Sequence, residues 1–171
     1  MKVYGVTGWK NTGKTGLMER LVTEITARGL SVSTIKHAHH DTEIDHPGRD
    51  SHRHRQAGAR EVLVSSPVRW ALMHELRGAN EPSLDDLLAR LSPVDLVLIE
   101  GYKRAPHPKI EAHRVETGRD LLAVHSPSVR ALASNADPGD PVLAGLTVPV
   151  LALDDTCAIA DFLLRDLGFA S

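Results

Sequence analysis

The chain contains one cysteine, Cys157, so an internal disulfide is excluded and a reducing compartment is expected. It carries little surplus charge. The formal net value is -2, so no broad basic field calls for nucleic acid or an anionic membrane as a partner. Long apolar runs are missing too, and none approaches the roughly 20 residues a spanning helix needs. The opening stretch, MKVYGVTG, leads directly into a strand-like segment without the pattern of a cleavable signal. Together these absences lead us to expect a cytoplasmic protein. What remains is ordinary for a folded chain: 171 residues, 42% hydrophobic and 25% charged, enough for one domain over 1–171 with an apolar core. The two tryptophans, Trp9 and Trp70, read as packing residues, with Trp9 partly exposed.

Periodicity then divides the chain. KVYGVTG reads as a strand, and TGLMERLVTEITARGL as a helix with Leu17, Leu21, Val22 and Ile25 on one face and Gly29 as its stop. SVSTIK is a second strand. AREVLVSS and VRWALMHEL read as a hairpin around Ser66-Pro67. EPSLDDLLARL reads as a helix capped by Ser83, with Asp85 and Asp86 in its first turn. VDLVLIEG is the most continuous apolar run and predicts a central strand covered on both faces. PKIEAHR and DLLAVHS are candidates to pair across VETGR. VRALAS and VPVLALD are short strands, and DTCAIADFLLRDLG closes as a helix with Ile159, Phe162, Leu163 and Leu167 inward and Cys157 buried. Strands alternating with helices predict an α/β fold of the P-loop NTPase type. Its sheet should be largely parallel and flanked by helices, with a β-hairpin insertion.

Between the first strand and the first helix lies Gly8-Trp9-Lys10-Asn11-Thr12-Gly13-Lys14-Thr15, which fits the phosphate-binding pattern G-x-x-x-x-G-K-[ST]. Small residues let backbone N–H groups curl around a phosphate. Lys14 brings a positive charge to the β and γ oxygens, and the Thr15 hydroxyl can ligate Mg²⁺ at the helix start. Lys10 reads as a solvated or phosphate-adjacent charge. A metal-side carboxylate is expected at the end of a nearby strand. Asp95 and Glu100 are the candidates, about 16 Å apart along a five-residue strand. Ligands gather at the carboxyl ends of parallel strands, so Glu100 is the expected one.

Six of the ten histidines crowd into His37–His54, in a polar segment expected to be a loop leaving the second strand at that same edge. His37, Asp41, Asp45 and Asp50 are its candidate switch residues, and Arg49 or Arg53 could meet an anion. His37, His39, His40 and Asp41 could instead ligate zinc or nickel. Farther on, Lys103, Arg104 and Lys109 could face an anionic substrate or a partner, and Ser134, Asn135 and Asp137 could read a base. The N-x-x-D spacing of a guanine signature is absent, since Asn135 and Asp137 are two apart. No nucleophile or catalytic base can be named.

Taken together, GWKNTGKT, IKHAHHD, IDHPGRDSHRHRQAGA, DLVLIEGYK, PKIEAHR and the terminal VPVLALDDTCAIADFLL resemble the MobB family of molybdopterin-guanine dinucleotide biosynthesis adaptor proteins. The resemblance implies a homodimeric, GTP-binding accessory protein with slow Mg²⁺-dependent hydrolysis, assisting a MobA-type guanylyltransferase. It carries Gly13, Lys14, Thr15 and Glu100 over as phosphate and Mg²⁺ contacts. Asp45, Gly48, Asp50 and Ser51 match the family's loop pattern. The alternative reading is a metal-delivery P-loop GTPase using the histidine-rich segment. A small-molecule kinase or an adaptor without working nucleotide chemistry is a further possibility.

Overall fold

The computed structural model describes residues 1–38 and 44–169. These form two compact units, one made of residues 1–37 and 93–171 and the other of residues 38–92.

The first unit is a six-stranded sheet in which every neighbouring pair runs parallel. Its strands are β1 (Lys2–Thr7), β2 (Val32–Lys36), β5 (Leu96–Glu100), β6 (Lys109–His113), β7 (Val129–Ser134) and β8 (Val150–Ala152). Their order across the sheet is β2-β5-β1-β6-β7-β8. Helices α1 (Lys14–Ala27) and α4 (Thr156–Asp166) belong to the same unit. Leu17, Met18, Leu21 and Ile25 of α1 and Ile159, Ala160 and Leu163 of α4 join Tyr4, Val6, Leu96, Leu98 and Ile110 in one buried core. Each Leu, Ile, Val or Met side chain among them contributes about 1.5–3 kcal/mol by leaving water. The spacing of the α1 residues, three and four apart, is what puts them on one face. That helix ends where Gly29 turns left-handed, with its N–H donating to Thr26 O at 3.0 Å.

β5 lies between β2 and β1, and Leu96, Val97, Leu98 and Ile99 are all buried, as its continuous apolar run predicts. The pairing expected between 108–114 and 120–126 does not occur. β6 instead pairs in parallel with β1 and β7, and Leu122–Val124 is a single 3₁₀ turn. Cys157 also departs from expectation and is exposed in the first turn of α4.

The second unit holds α2 (Asp50–Gln56), an antiparallel ribbon of β3 (Glu61–Ser65) and β4 (Trp70–His74), and α3 (Leu84–Leu88). The segment expected to be wholly loop therefore contains a helix. α3 has the anticipated Ser83 cap as a full capping box, with Ser83 Oγ accepting from Asp86 N at 3.1 Å. Val62 and Met73 are paired and buried, while Leu63, Leu72 and Trp70 are exposed, contrary to the packing role expected for Trp70. Arg55 holds this unit together. It forms ion pairs with Asp45 and, at 2.7 Å, with Glu75. Arg77 Nη2 donates to the Arg55 and Ala59 carbonyls at 2.8 and 3.0 Å.

Candidate functional site

The turn from β1 into α1 requires backbone conformations that only certain residues adopt. Gly8 has φ 141° and Gly13 φ 91°, with Asn11 at φ 67° between them. At Gly8 a β-carbon would sit 2.4 Å from Ala112 O and 2.7 Å from Thr12 Oγ1, so no side chain fits. Thr12 Oγ1 donates to Trp9 O at 2.9 Å, drawing the loop into a closed curve. Lys14 Nζ donates to the same carbonyl and folds back across the loop. Burial pushes the Lys14 ammonium below the usual lysine range. Glu100 opposes that shift, and the positive charges of Lys103 and Lys36 add to it. A partly desolvated cation among other cations gains from any anion brought beside it.

Trp9 fastens this loop to its surroundings. Its Nε1–H donates to Asp120 O at 2.8 Å, and Lys103 Nζ lies 3.9 Å from the ring centroid. The segment carrying Asp120 is pinned by Glu111, whose buried carboxylate accepts from Leu122 N at 3.0 Å and Ala123 N at 2.8 Å. Burial raises the pKa of Glu111, and the two backbone donors and Lys103 pull it down. Arg114, just past β6, places Nε 3.2 Å from where a Gly13 β-carbon would be. Sequence reasoning passed over Glu111, Asp120 and Arg114 as supports of the loop. An acid within the apolar PKIEAHR strand was the available signal for Glu111.

At the carboxyl end of β5, Glu100 accepts a hydrogen bond from Thr15 Oγ1 at 3.2 Å on Oε1, and Lys36 Nζ lies 3.8 Å from Oε2. Asp95, at the other end, accepts from Ser31 N at 2.8 Å and Ser31 Oγ at 2.6 Å. Of the two acids, Glu100 is the one beside the loop. A threonine hydroxyl and a carboxylate side by side are hard oxygen donors of the kind Mg²⁺ takes, so the residues fit that ion. Gly101 follows with φ 101° and lets the chain pass close to His37. The His37 ring stacks on Tyr102, with centroids 4.5 Å apart.

The remaining candidates scatter. Lys10 is exposed. Asp45 is committed to Arg55, whose guanidinium holds its carboxyl below the usual carboxylate range, and Asp50 begins α2 exposed. His39, His40 and Asp41 lie outside the described residues; among the described residues no cluster of three or more His, Cys, Asp or Glu could hold a metal ion. Lys109 is fully buried, donating to Ala105 O and to Ser128 Oγ at 3.0 Å, so it faces no partner. Asn135 accepts from Val115 N at 2.9 Å and donates to Glu116, and Ser134 Oγ meets His113 Nδ1 at 2.8 Å.

A parallel sheet whose first strand runs through a glycine-hinged turn into a Gly-Lys-Thr helix start defines a P-loop α/β protein. The comparisons narrow the class. The model of "Molybdopterin guanine dinucleotide synthesis protein B" matches residues 3–135, and the chain belongs to this MobB family. It is 41% identical over 135 residues to the molybdopterin-guanine dinucleotide biosynthesis adapter protein of Haemophilus influenzae, covering 78% of this chain and 74% of that one. The Escherichia coli adapter protein is 39% identical over 160 residues, covering 92% and 88%. The crystal structure of Bacillus subtilis MobB superposes with a TM-score of 0.77 at 28% identity, covering 99% and 100%.

Proposed function

We propose that this chain is a GTP-binding accessory protein in the formation of molybdopterin guanine dinucleotide, using Mg²⁺ and hydrolysing GTP slowly. The relatives in Haemophilus influenzae and Escherichia coli bear the adapter name, which supports the pathway. The observation that carries the nucleotide reading is the contact of Thr15 Oγ1 with Glu100 Oε1, 3.2 Å apart, beside a closed Gly8–Gly13 turn. Lys14 and the N–H groups at the start of α1 hold the phosphates, and Thr15 and Glu100 hold Mg²⁺. The metal ion supplies charge neutralisation at the phosphate oxygens. Glu100 already engages Thr15 and Lys36, so it serves as a metal-side acid rather than as a base. Fast phosphoryl transfer also needs a positioned water and an added positive charge, often delivered by a partner, hence slow hydrolysis alone.

The adapter role extends to a homodimer and to a MobA-type guanylyltransferase, both in the cytoplasm. Exposed Leu63, Leu72 and Trp70 on one face of the β3–β4 ribbon, with Val68 at its tip, support a self-association surface. Equilibrium binding of GTP with Mg²⁺ tests the core of the reading. Replacing Lys14 by Ala should weaken GTP by about 100-fold or more, in line with the loss of a charge-assisted phosphate contact. Unchanged affinity would sink the assignment. A pull-down with the guanylyltransferase, with and without GTP, tests the partnership.

A further inference from the structure

We infer that the nucleotide's base lies in the cleft beyond β7 and that Asp140 reads its edge, selecting guanine. This rests on the nucleotide reading above. The cleft, of about 730 Å³, is walled by Pro138, Leu143 and Leu151 and includes Ser134, Asn135 and Asp140. It opens where β7 and β8 end, on the carboxyl edge that also carries the Gly8–Gly13 turn at the end of β1. Strand order fixes the offset. β6 separates β1 from β7, so the cleft stands two to three strand spacings from the turn, about 10–14 Å. Arg114, at the end of β6 and against Gly13, lies between them in that order. The phosphate cradle, one arginine and a slot with apolar walls thus follow one another along the edge, an order that suits a nucleotide's phosphates at one end and its base at the other.

Polar groups in the slot decide which base it accepts. Asn135 has both ends of its amide engaged, with Val115 N and Glu116, and Ser134 Oγ engages His113 and Ala136 N. Asp140 is half-buried and is the sole carboxylate among the cleft's lining residues. Its Oδ1 accepts from Val142 N at 2.9 Å, which sets the side chain's direction and leaves further acceptor sites. Among the described residues no lysine or arginine forms an ion pair with it. A carboxylate so placed wants two adjacent donors. Guanine offers N1–H and the 2-amino group. Adenine offers an acceptor and a C–H there, and xanthine puts a carbonyl in place of the amine. Asp140 therefore supplies the base preference that the Asn135 and Asp137 spacing lacks.

Calorimetric titration of the full chain with the Mg²⁺ complexes of GTP, ITP, XTP and ATP, and with tripolyphosphate, tests this. The native chain should bind GTP roughly 10-fold or more tighter than XTP or ATP, with ITP between. Asp140→Asn keeps the acceptor for Val142 N, so the fold and tripolyphosphate binding should persist. Its GTP affinity should fall about 10-fold and its XTP affinity rise. Native protein that binds XTP as well as GTP would overturn the inference without needing the variant. An unchanged GTP-to-XTP ratio in Asp140→Asn, with tripolyphosphate still bound, would also overturn it and leave the phosphate cradle standing. Failure of both GTP and tripolyphosphate to bind would remove the cradle reading and this one with it.

Discussion

The two units keep their polar groups in opposite ways. The parallel-sheet unit takes them inside: Lys109, Glu111 and His113 on β6 are all buried, each tied to nearby backbone or hydroxyl groups. The ribbon unit leaves them near the surface as ion pairs, with Arg55 between Asp45 and Glu75, and among its described residues buries only Val62 and Met73 as apolar anchors. A layered sheet with a wide apolar core can surround a polar group and satisfy it from several sides. A two-stranded ribbon cannot, because it is one layer thick. The first unit should therefore be sensitive to lost volume and to protonation of buried groups, and the second to lost charge pairs.

Volume gives the largest expected effect. Leu98 is fully buried at the centre of β5, in the strand that holds Glu100 at its end. Leu98→Ala removes three methyl(ene) groups from a close-packed core and should lower unfolding stability by about 3–4 kcal/mol. Urea unfolding with an unchanged m-value would measure it. A loss below about 1 kcal/mol would mean that the core is loosely packed and the contrast with the ribbon is false.

What the sequence disclosed follows the same division. The β1 strand, the Gly-Lys-Thr turn, α1 and the β5 run were legible because each signal is local: a period, a pattern and a stop. That Glu100, and not Asp95, lies beside the loop was legible because strand polarity decides it. β6 was misread as half of a hairpin because Val115–Arg119 looks like a turn, whereas its real neighbours, β1 and β7, are set by crossovers that local pattern does not encode. Its buried Lys109, Glu111 and His113 look solvent-facing in sequence and become core only through those neighbours. Cys157 sits two residues before buried Ile159, about 200° around the helix, a phase that short helical patterns resolve poorly. Trp70 was assigned to packing by residue type, yet it pairs with Ser65 on the ribbon face opposite Val62 and Met73.

Protonation comes next. His107 is pressed against Gly5 and neither ring nitrogen has a hydrogen-bond partner among the described residues; burial, with the charge of Lys109 adding to it, pushes its pKa down to about 4. Unfolded, the ring titrates near 6.5. Between those values the unfolded chain binds more protons, so stability is full above about pH 6.5 and drains as pH falls toward 4. The expected loss over that window is about 2 kcal/mol, reduced from the full linkage value for the ring's partial exposure. His107→Gln should flatten that slope, with His113, also pushed down by burial, leaving a remainder. In the ribbon unit Asp45 is also pushed down, by its hydrogen bond to Arg55, but from the carboxylate range, so its contribution is present above that range and is lost only at lower pH than that of His107. A slope unchanged by His107→Gln would place the acid sensitivity elsewhere.

Charge pairing gives a smaller, local effect. Arg55→Met keeps much of the stem and removes both ion pairs. Amides of β3 and β4 should exchange about tenfold faster while those of β5 keep their protection. Equal acceleration in both units would show that the ribbon does not open on its own.

The smallest stability change should come from the exposed ribbon face, where it separates two explanations of the same residues. Leu72 pairs with Leu63 there, and Trp70 is 67% exposed, so neither contributes much to the fold of one chain. Leu72→Ser with Trp70→Ser should change the unfolding free energy of the isolated chain by within about 0.5 kcal/mol per site. If the face joins two copies, the same variant should sediment as a monomer at concentrations where the native chain is dimeric. It should also lose the concentration dependence of the native melting temperature. A native chain that sediments as a monomer throughout would make the apolar face a partner surface or a solvated one, and the homodimer reading would fall.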